Sequence, residues 1–207
     1  MSIKITYFVH GTTTDNEAGL STGWLPGELS ELGVKRSKEV PNQIGNKQFD
    51  AIFSSDLKRA IDSARLNFMG RKIIQDERLR ECNYGELNGA NDELVSYEDH
   101  IETPFSGGES LIDVEKRVRS FCKFLSENYD GNNIAIVAHK APQLALQVIC
   151  EGVSWSDAIK NDWRKIGKWQ PGWDYSISGT KQPTPQPTTH ANCNKHKPPH
   201  RPPNQQA

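Results

Sequence analysis

Two rhythms of apolar positions run along this chain. Ile3 to Val9 (IKITYFV) is a β-branched and aromatic run that stops at His10-Gly11, the pattern of a buried strand. Asp50 to Ser54 (DAIFS) and Asn133 to Ala138 (NIAIVA) repeat that pattern, and Lys72 to Ile74 suggests a further short strand. Between these runs the spacing lengthens to three and four. Ser30 through Ile44 reads as a helix that Pro41 is expected to kink or end. Asp56 is the expected cap of a second helix, with Leu57, Ala60, Ile61, Ala64 and Phe68 on one face. Ser110 and Asp113 resemble a capping box ahead of the clearest stripe, formed by Leu111, Val114, Val118, Phe121 and Leu125. A last helix is expected near Gln143 to Cys150. Leu79 to Gly89 reads as irregular, followed by a weak helix or loop to His100. A segment holding Trp155, Trp163, Trp169 and Trp173 closes the patterned part, and no internal repeat is visible.

Strands that alternate with helices predict an α/β domain, three-layered, with a largely parallel central sheet flanked by helices. Ligands of such sheets gather beyond the carboxyl ends of the strands. Three of those ends carry polar residues: His10, then Ser54-Ser55 with Arg59 close behind, then His139-Lys140. One cleft can hold all of them.

Composition divides the chain unevenly. Seven of the 12 prolines fall after Ser178, in a stretch without Ile, Leu, Val, Phe or Trp. Such a segment cannot offset the entropy of ordering itself, so residues 178–207 are expected to be a disordered tail behind a domain of residues 1–177. Cys193, His196 and His200 in that tail are zinc-ligand types, yet no strand or helix would hold them, and the spacing reads as a stray match. The tail also holds four of the 25 Lys and Arg and none of the 26 Asp and Glu, leaving an acidic body. An acidic body gives no electrostatic case for nucleic acid, so an anionic ligand must meet locally placed cations. Cys82, Cys122 and Cys150 form no CxxC pair and read as reduced thiols. With no signal-peptide pattern at the start and no membrane-length apolar run, a cytoplasmic location is expected.

The polar strand ends belong to a longer series. His10-Gly11 after a strand, Asn16, the run Gly23-Trp-Leu-Pro-Gly-Glu-Leu-Ser-Glu-Leu-Gly33, Ser54-Ser-Asp-Leu-Lys-Arg59-Ala, Leu79-Arg-Glu81-Cys-Asn-Tyr-Gly85 and Val137-Ala-His139 follow in order. Together they resemble the histidine phosphatase superfamily, also called phosphoglycerate mutase-like, from Ile3 to about Glu151. The resemblance implies that fold and a phosphohistidine route, with no cofactor and no metal. It implies His10 as nucleophile, Glu81 as general acid and base, and His139 as the second catalytic histidine. Gly11, Asn16 and Arg59 would bind phosphate. The substrate implied is a small phosphorylated metabolite, with no nucleic-acid or membrane partner, and oligomeric state is left open.

The chemistry fits these residue types. A neutral imidazole can attack phosphorus, and the charge spread over the equatorial oxygens needs cations and hydrogen-bond donors around it. Two positions depart from the family pattern. Its usual arginine before the nucleophile is Val9 here, and loss of one preorganised donor costs on the order of 10²–10³ in rate. After His139, where the family usually has a small residue, stands Lys140, which is expected to reach the phosphate and supply the missing charge. The stretch between Glu81 and Ser110 is shorter than in family mutases, so hydrolysis is the expected reaction. Mutase-type phosphoryl transfer is one alternative, and a non-catalytic phosphate binder is the other. Read singly, Arg59 is a solvated surface cation, Glu81 beside Arg78 and Arg80 a surface ion pair, and His139 a core histidine. Arg164, Lys165 and Lys168 would help gather an anion if their segment folds over the cleft.

Overall fold

The computed structural model describes residues 2–167 and 170–178. Lys168, Trp169 and the tail beyond Ser178, with Cys193, His196 and His200, lie outside the described residues. The first strand, β1 (Ser2–Val9), leads through a short helix α1 (Thr14–Glu17) and a two-residue strand β2 (Leu20–Ser21) into helix α2 (Glu31–Ile44). Strand β3 (Ala51–Ser54), helix α3 (Lys58–Asn67) and strand β4 (Ile74–Gln75) follow. After strand β5 (Ala90–Asn91) come helix α4 (Leu111–Asn128), strand β6 (Asn133–Ala138) and helix α5 (Lys140–Glu151). Two short helices, α6 (Trp155–Lys160) and α7 (Trp163–Ile166), precede the last strand, β7 (Trp173–Ser178).

The central sheet has the order β4-β3-β6-β1-β7. β4, β3, β6 and β1 run parallel, and β7 lies antiparallel along β1 with Tyr175 opposite Ile5. The period of two sends alternate side chains to opposite faces. Ile3, Ile5, Tyr7, Phe53, Ile134 and Ile136 pack under α4, α5 and α6, while Phe8, Ile52, Ala135 and Val137 meet Ala64 and Phe68 of α3. The three-layer α/β expectation holds. Among the described residues no helix is long and apolar enough to cross a membrane, and Cys82, Cys122 and Cys150 are free thiols.

Local departures have physical reasons. Helix α2 runs past Pro41 to Ile44 instead of ending there. Asp56 does not cap α3: Leu57 holds the cap position without a side-chain bond, and the Asp56 carboxylate instead receives Nε of Arg80 at 2.7 Å. Helix α5 begins at Lys140, three residues earlier than expected, because Pro142 falls in the first turn, where its missing N–H costs nothing. The expected strand Lys72–Ile74 is displaced to Ile74–Gln75. Strand β7 carries the domain through Ser178, one residue past the expected boundary.

Candidate active site

The carboxyl ends of β1, β3 and β6 bring His10, Arg59 and His139 to one edge of the sheet. Its cleft, a cavity of about 460 Å³, is lined by Val9, His10, Thr12, Asn16, Arg59, Glu81, Tyr84, Tyr97, Lys140, Trp163 and Arg164, among others.

His10 places its Nδ1 2.7 Å from the carbonyl of Gly11. A carbonyl only accepts, so Nδ1 carries the proton and Nε2 keeps its lone pair. That lone pair receives Nε–H of Arg59 at 3.4 Å. Burial first, then the Arg59 charge, lowers the His10 pKa to about 3. The imidazole is therefore neutral at physiological pH.

Gly11 is not one of the lining residues. Its N–H donates to Ser63 Oγ at 2.9 Å, and the same hydroxyl donates to the carbonyl of Arg59 at 2.7 Å. Gly11 is needed for close approach: a Cβ there would stand 2.7 Å from Ser37 Oγ and 2.8 Å from the Gly33 carbonyl of α2. It ties the His10 loop to α2 and α3, with its N–H already engaged by Ser63 Oγ.

Arg59 is 2% exposed, which removes the surface-cation reading. Its terminal nitrogens donate to the carbonyls of Leu25 (3.1 Å) and Gly23 (2.7 Å), fixing the long polar loop against α3. Asn16 sits at the third position of α1 and closes a capping box with Thr13: its Oδ1 accepts from Thr13 N at 3.1 Å. That bond orients the amide at the cavity wall.

His139 is fully buried, its ring centroid 5.1 Å from that of His10. Nε2 lies 2.8 Å from Ser55 Oγ, and Nδ1 is buried without a hydrogen-bond partner. Burial, Arg59 and His10 together hold its pKa well below the usual value. Its backbone is pinned from the core. Tyr7 OH donates to the His139 carbonyl at 2.7 Å and accepts the His139 N–H at 2.9 Å.

Glu81 is 6% exposed and pairs with neither neighbouring arginine, since Arg78 is held by Asp76 and Arg80 by Asp56. Its Oε1 accepts from Cys82 N (2.8 Å), Ala141 N (3.0 Å) and Tyr97 OH (3.1 Å), whereas among the described residues Oε2 accepts only from Lys140 N (3.1 Å). The carboxyl thus rests on the first N–H groups of α5, where such donors lack helical partners. Two groups hold its carbonyl: Trp24 Nε1–H at 2.7 Å and Arg117 at 2.9 Å.

Lys140 lines the cavity with its ammonium 3.6 Å from Asp162 Oδ2 and 4.3 Å above the Tyr97 ring centre. Arg164 lines it as well, joined to Asp162 at 2.8 Å. Lys165 is turned to Glu98 instead.

The residues read from the sequence therefore meet at one edge of the sheet, Gly11 and His139 packing behind the lining and the others facing the cavity. Tyr7, Tyr97 and Arg117 were not foreseen. Tyr7 carries only a core signal in a strand, and Arg117 follows a helical stripe like any surface arginine.

A mostly parallel α/β sheet thus gathers paired imidazoles, a buried arginine and a carboxyl at one cleft. The chain belongs to the histidine phosphatase superfamily (branch 1), whose profile matches residues 7–169. It is 28% identical over 168 residues to phosphoserine phosphatase 1 of Hydrogenobacter thermophilus, covering 74% of this chain and 79% of that protein. It is 35% identical over 170 residues to a 2,3-bisphosphoglycerate-dependent phosphoglycerate mutase of Cytophaga hutchinsonii, covering 74% and 79%. Its fold is similar to that of phosphoserine phosphatase in complex with 3-phosphoglyceric acid from Entamoeba histolytica. The TM-score is 0.68 and the identity 25%, over 76% of this chain and 84% of that one.

Proposed function

We propose that this chain hydrolyses small phosphate monoesters through a phosphohistidine on His10. The observation that carries the reading is the state of that ring: its one proton is spent on Gly11, and Nε2 keeps a lone pair beside a buried guanidinium. In the first step Nε2 forms the N–P bond as the ester P–O bond breaks. Glu81 gives its proton to the departing alkoxide, and Oε2, which accepts a single hydrogen bond, is the oxygen free to carry it. In the second step Glu81 takes a proton from the water that attacks phosphorus, and the N–P bond breaks to restore His10.

Arg59 and Asn16 hold the phosphoryl oxygens, Lys140 adds positive charge at the wall, and His139 backs the His10 ring from behind the lining. Gly11 keeps the His10 loop in place. No step is routed through a cofactor.

The test is to mix the protein with a phosphomonoester labelled in the phosphoryl group, quench in alkali and locate the label. The expected result is label on His10, release of inorganic phosphate, and loss of both in His10→Ala. Label retained by His10→Ala would refute the nucleophile. Isomerisation of phosphoglycerate without phosphate release would replace hydrolysis with mutase transfer, and vanadate binding without any label would leave a non-catalytic binder.

A further inference from the structure

A phosphoryl group brings more negative charge to His10 than Arg59 alone can meet, and Arg59 already spends two nitrogens on the carbonyls of Gly23 and Leu25. Val9, beside the nucleophile on the cavity wall, is apolar. Among the described residues the cavity's other side-chain cations are Lys140 and Arg164, both resting on Asp162.

Asp162 has a fully buried side chain. Its Oδ1 receives both the backbone N–H of Arg164 (3.1 Å) and the guanidinium (2.8 Å), while Oδ2 has no hydrogen bond and only the Lys140 ammonium at 3.6 Å. Two cations thus share one carboxylate at the cavity wall.

The two cations are not equivalent. Lys140 is a point charge on a flexible stem, drawn to Asp162 and to the Tyr97 face. Arg164 is a fixed fork. One terminal nitrogen is set by Asp162, the other donates to Gln143 Oε1 at 3.0 Å, and the guanidinium carbon lies 4.4 Å from the Trp163 ring centre. Of five N–H groups, those two bonds use two, so among the described residues Nε–H and one hydrogen on each terminal nitrogen remain to be given. Its charge is felt at the nucleophile, where it helps keep the His10 ring unprotonated.

We propose that Arg164 is an oxyanion-contacting residue of this site: its guanidinium, preset by Asp162 and Gln143, binds nonbridging oxygens of the group held at His10 and supplies the charge that Val9 does not. Lys140 then shares Asp162 and sets its charge balance, in place of the direct phosphate contact expected from the sequence. The inference rests on the reading that an oxyanion binds beside His10. Preset donors of this kind act without reorganising when the transition state forms.

The experiment measures vanadate binding and turnover of an aryl phosphate by the full chain. The variants are Arg164→Gln, which can keep a hydrogen bond to Asp162 without the charge, Arg164→Lys, and Val9→Arg in the Arg164→Gln background. Arg164→Gln is expected to weaken vanadate binding by at least about tenfold and lower kcat/KM by roughly 10²–10³. Arg164→Lys should recover only part of either loss, because it cannot fork. The added arginine at position 9 should return vanadate binding by about tenfold in the Arg164→Gln background, and by clearly less in a chain that keeps Arg164. Vanadate affinity unchanged in Arg164→Gln overturns the inference. So does a double variant no better than Arg164→Gln. Vanadate binding is read without turnover, so a chain that binds it yet never labels His10 refutes hydrolysis while the Arg164 comparison still decides this point.

Discussion

His10 and His139 both stay neutral in the fold, and that has a price in acid. Unfolded histidines take up a proton near pH ~6.5. The folded His10 does so only at about 3, and His139 is depressed in the same direction. Between those limits the unfolded chain binds more protons than the native one, so stability rises with pH and falls on acidification. Each histidine contributes up to about 1.4 kcal/mol per pH unit to that slope. Urea midpoints should drop between about pH 6.5 and pH 5, above the range where carboxylates titrate, and His10→Asn should flatten the drop. A wild-type midpoint that stays level across this window would contradict the neutral pair. At this scale the sequence was most legible where a polar residue closes a buried strand, as with His10 and His139, whose rings the fold brings together. It was least legible where burial changes a residue's meaning. Arg59 looks like any arginine in a first helical turn, and only the loop folded over it makes it 2% exposed.

Between elements, the His10 loop is fastened by a contact with no room for a methyl group. Gly11→Ala would push a Cβ against Ser37 Oγ and the backbone carbonyl of Gly33 in α2. A rigid helix backbone yields poorly, so a loss of about 1–3 kcal/mol in stability is expected, with turnover falling as Nε2 shifts. Thermal denaturation alongside an aryl phosphate assay checks both, and an alanine variant matching wild type in both would remove the packing role. Helix faces were read well because their stripes are long, as from Leu111 to Leu125. Ends were read less well. Asp56 has the chemistry of a cap, but Arg80 competes for its carboxylate and wins a two-nitrogen pairing. Strand β7 did leave a signal: Trp173, Tyr175 and Ile177 alternate with Asp174, Ser176 and Ser178, a period of two hidden inside a segment that stood out for tryptophan.

Over the whole molecule, β7 closes the sheet and braces the site. It pairs with β1 from Ser2 to Tyr7, and Trp173 stacks on Trp163, ring centres 4.9 Å apart, next to Arg164. Deleting Trp173–Ala207 should expose the edge of β1 to other chains and loosen α7. Size-exclusion chromatography should then show association, and vanadate binding should weaken. A truncated chain that elutes in the same assembly state as the full one and binds vanadate equally well would deny β7 both tasks. The α/β architecture itself was legible because strand and helix periods alternate without ambiguity. What the sequence could not display was the meeting of distant segments, such as Asp162 with Lys140.

Glu81 is clasped by main-chain hydrogens at the start of α5, not by a side chain free to swing. Its place in the cavity wall is accordingly set by the scaffold, like the spacing of jaws in a vice. On the proposed function, choice among substrates then falls to the apolar part of the lining, Leu20 and Val95, with Leu94 61% exposed next to Val95 in the chain. Redrawing that part of the lining is expected to change what is admitted and leave His10 and Glu81 where they are.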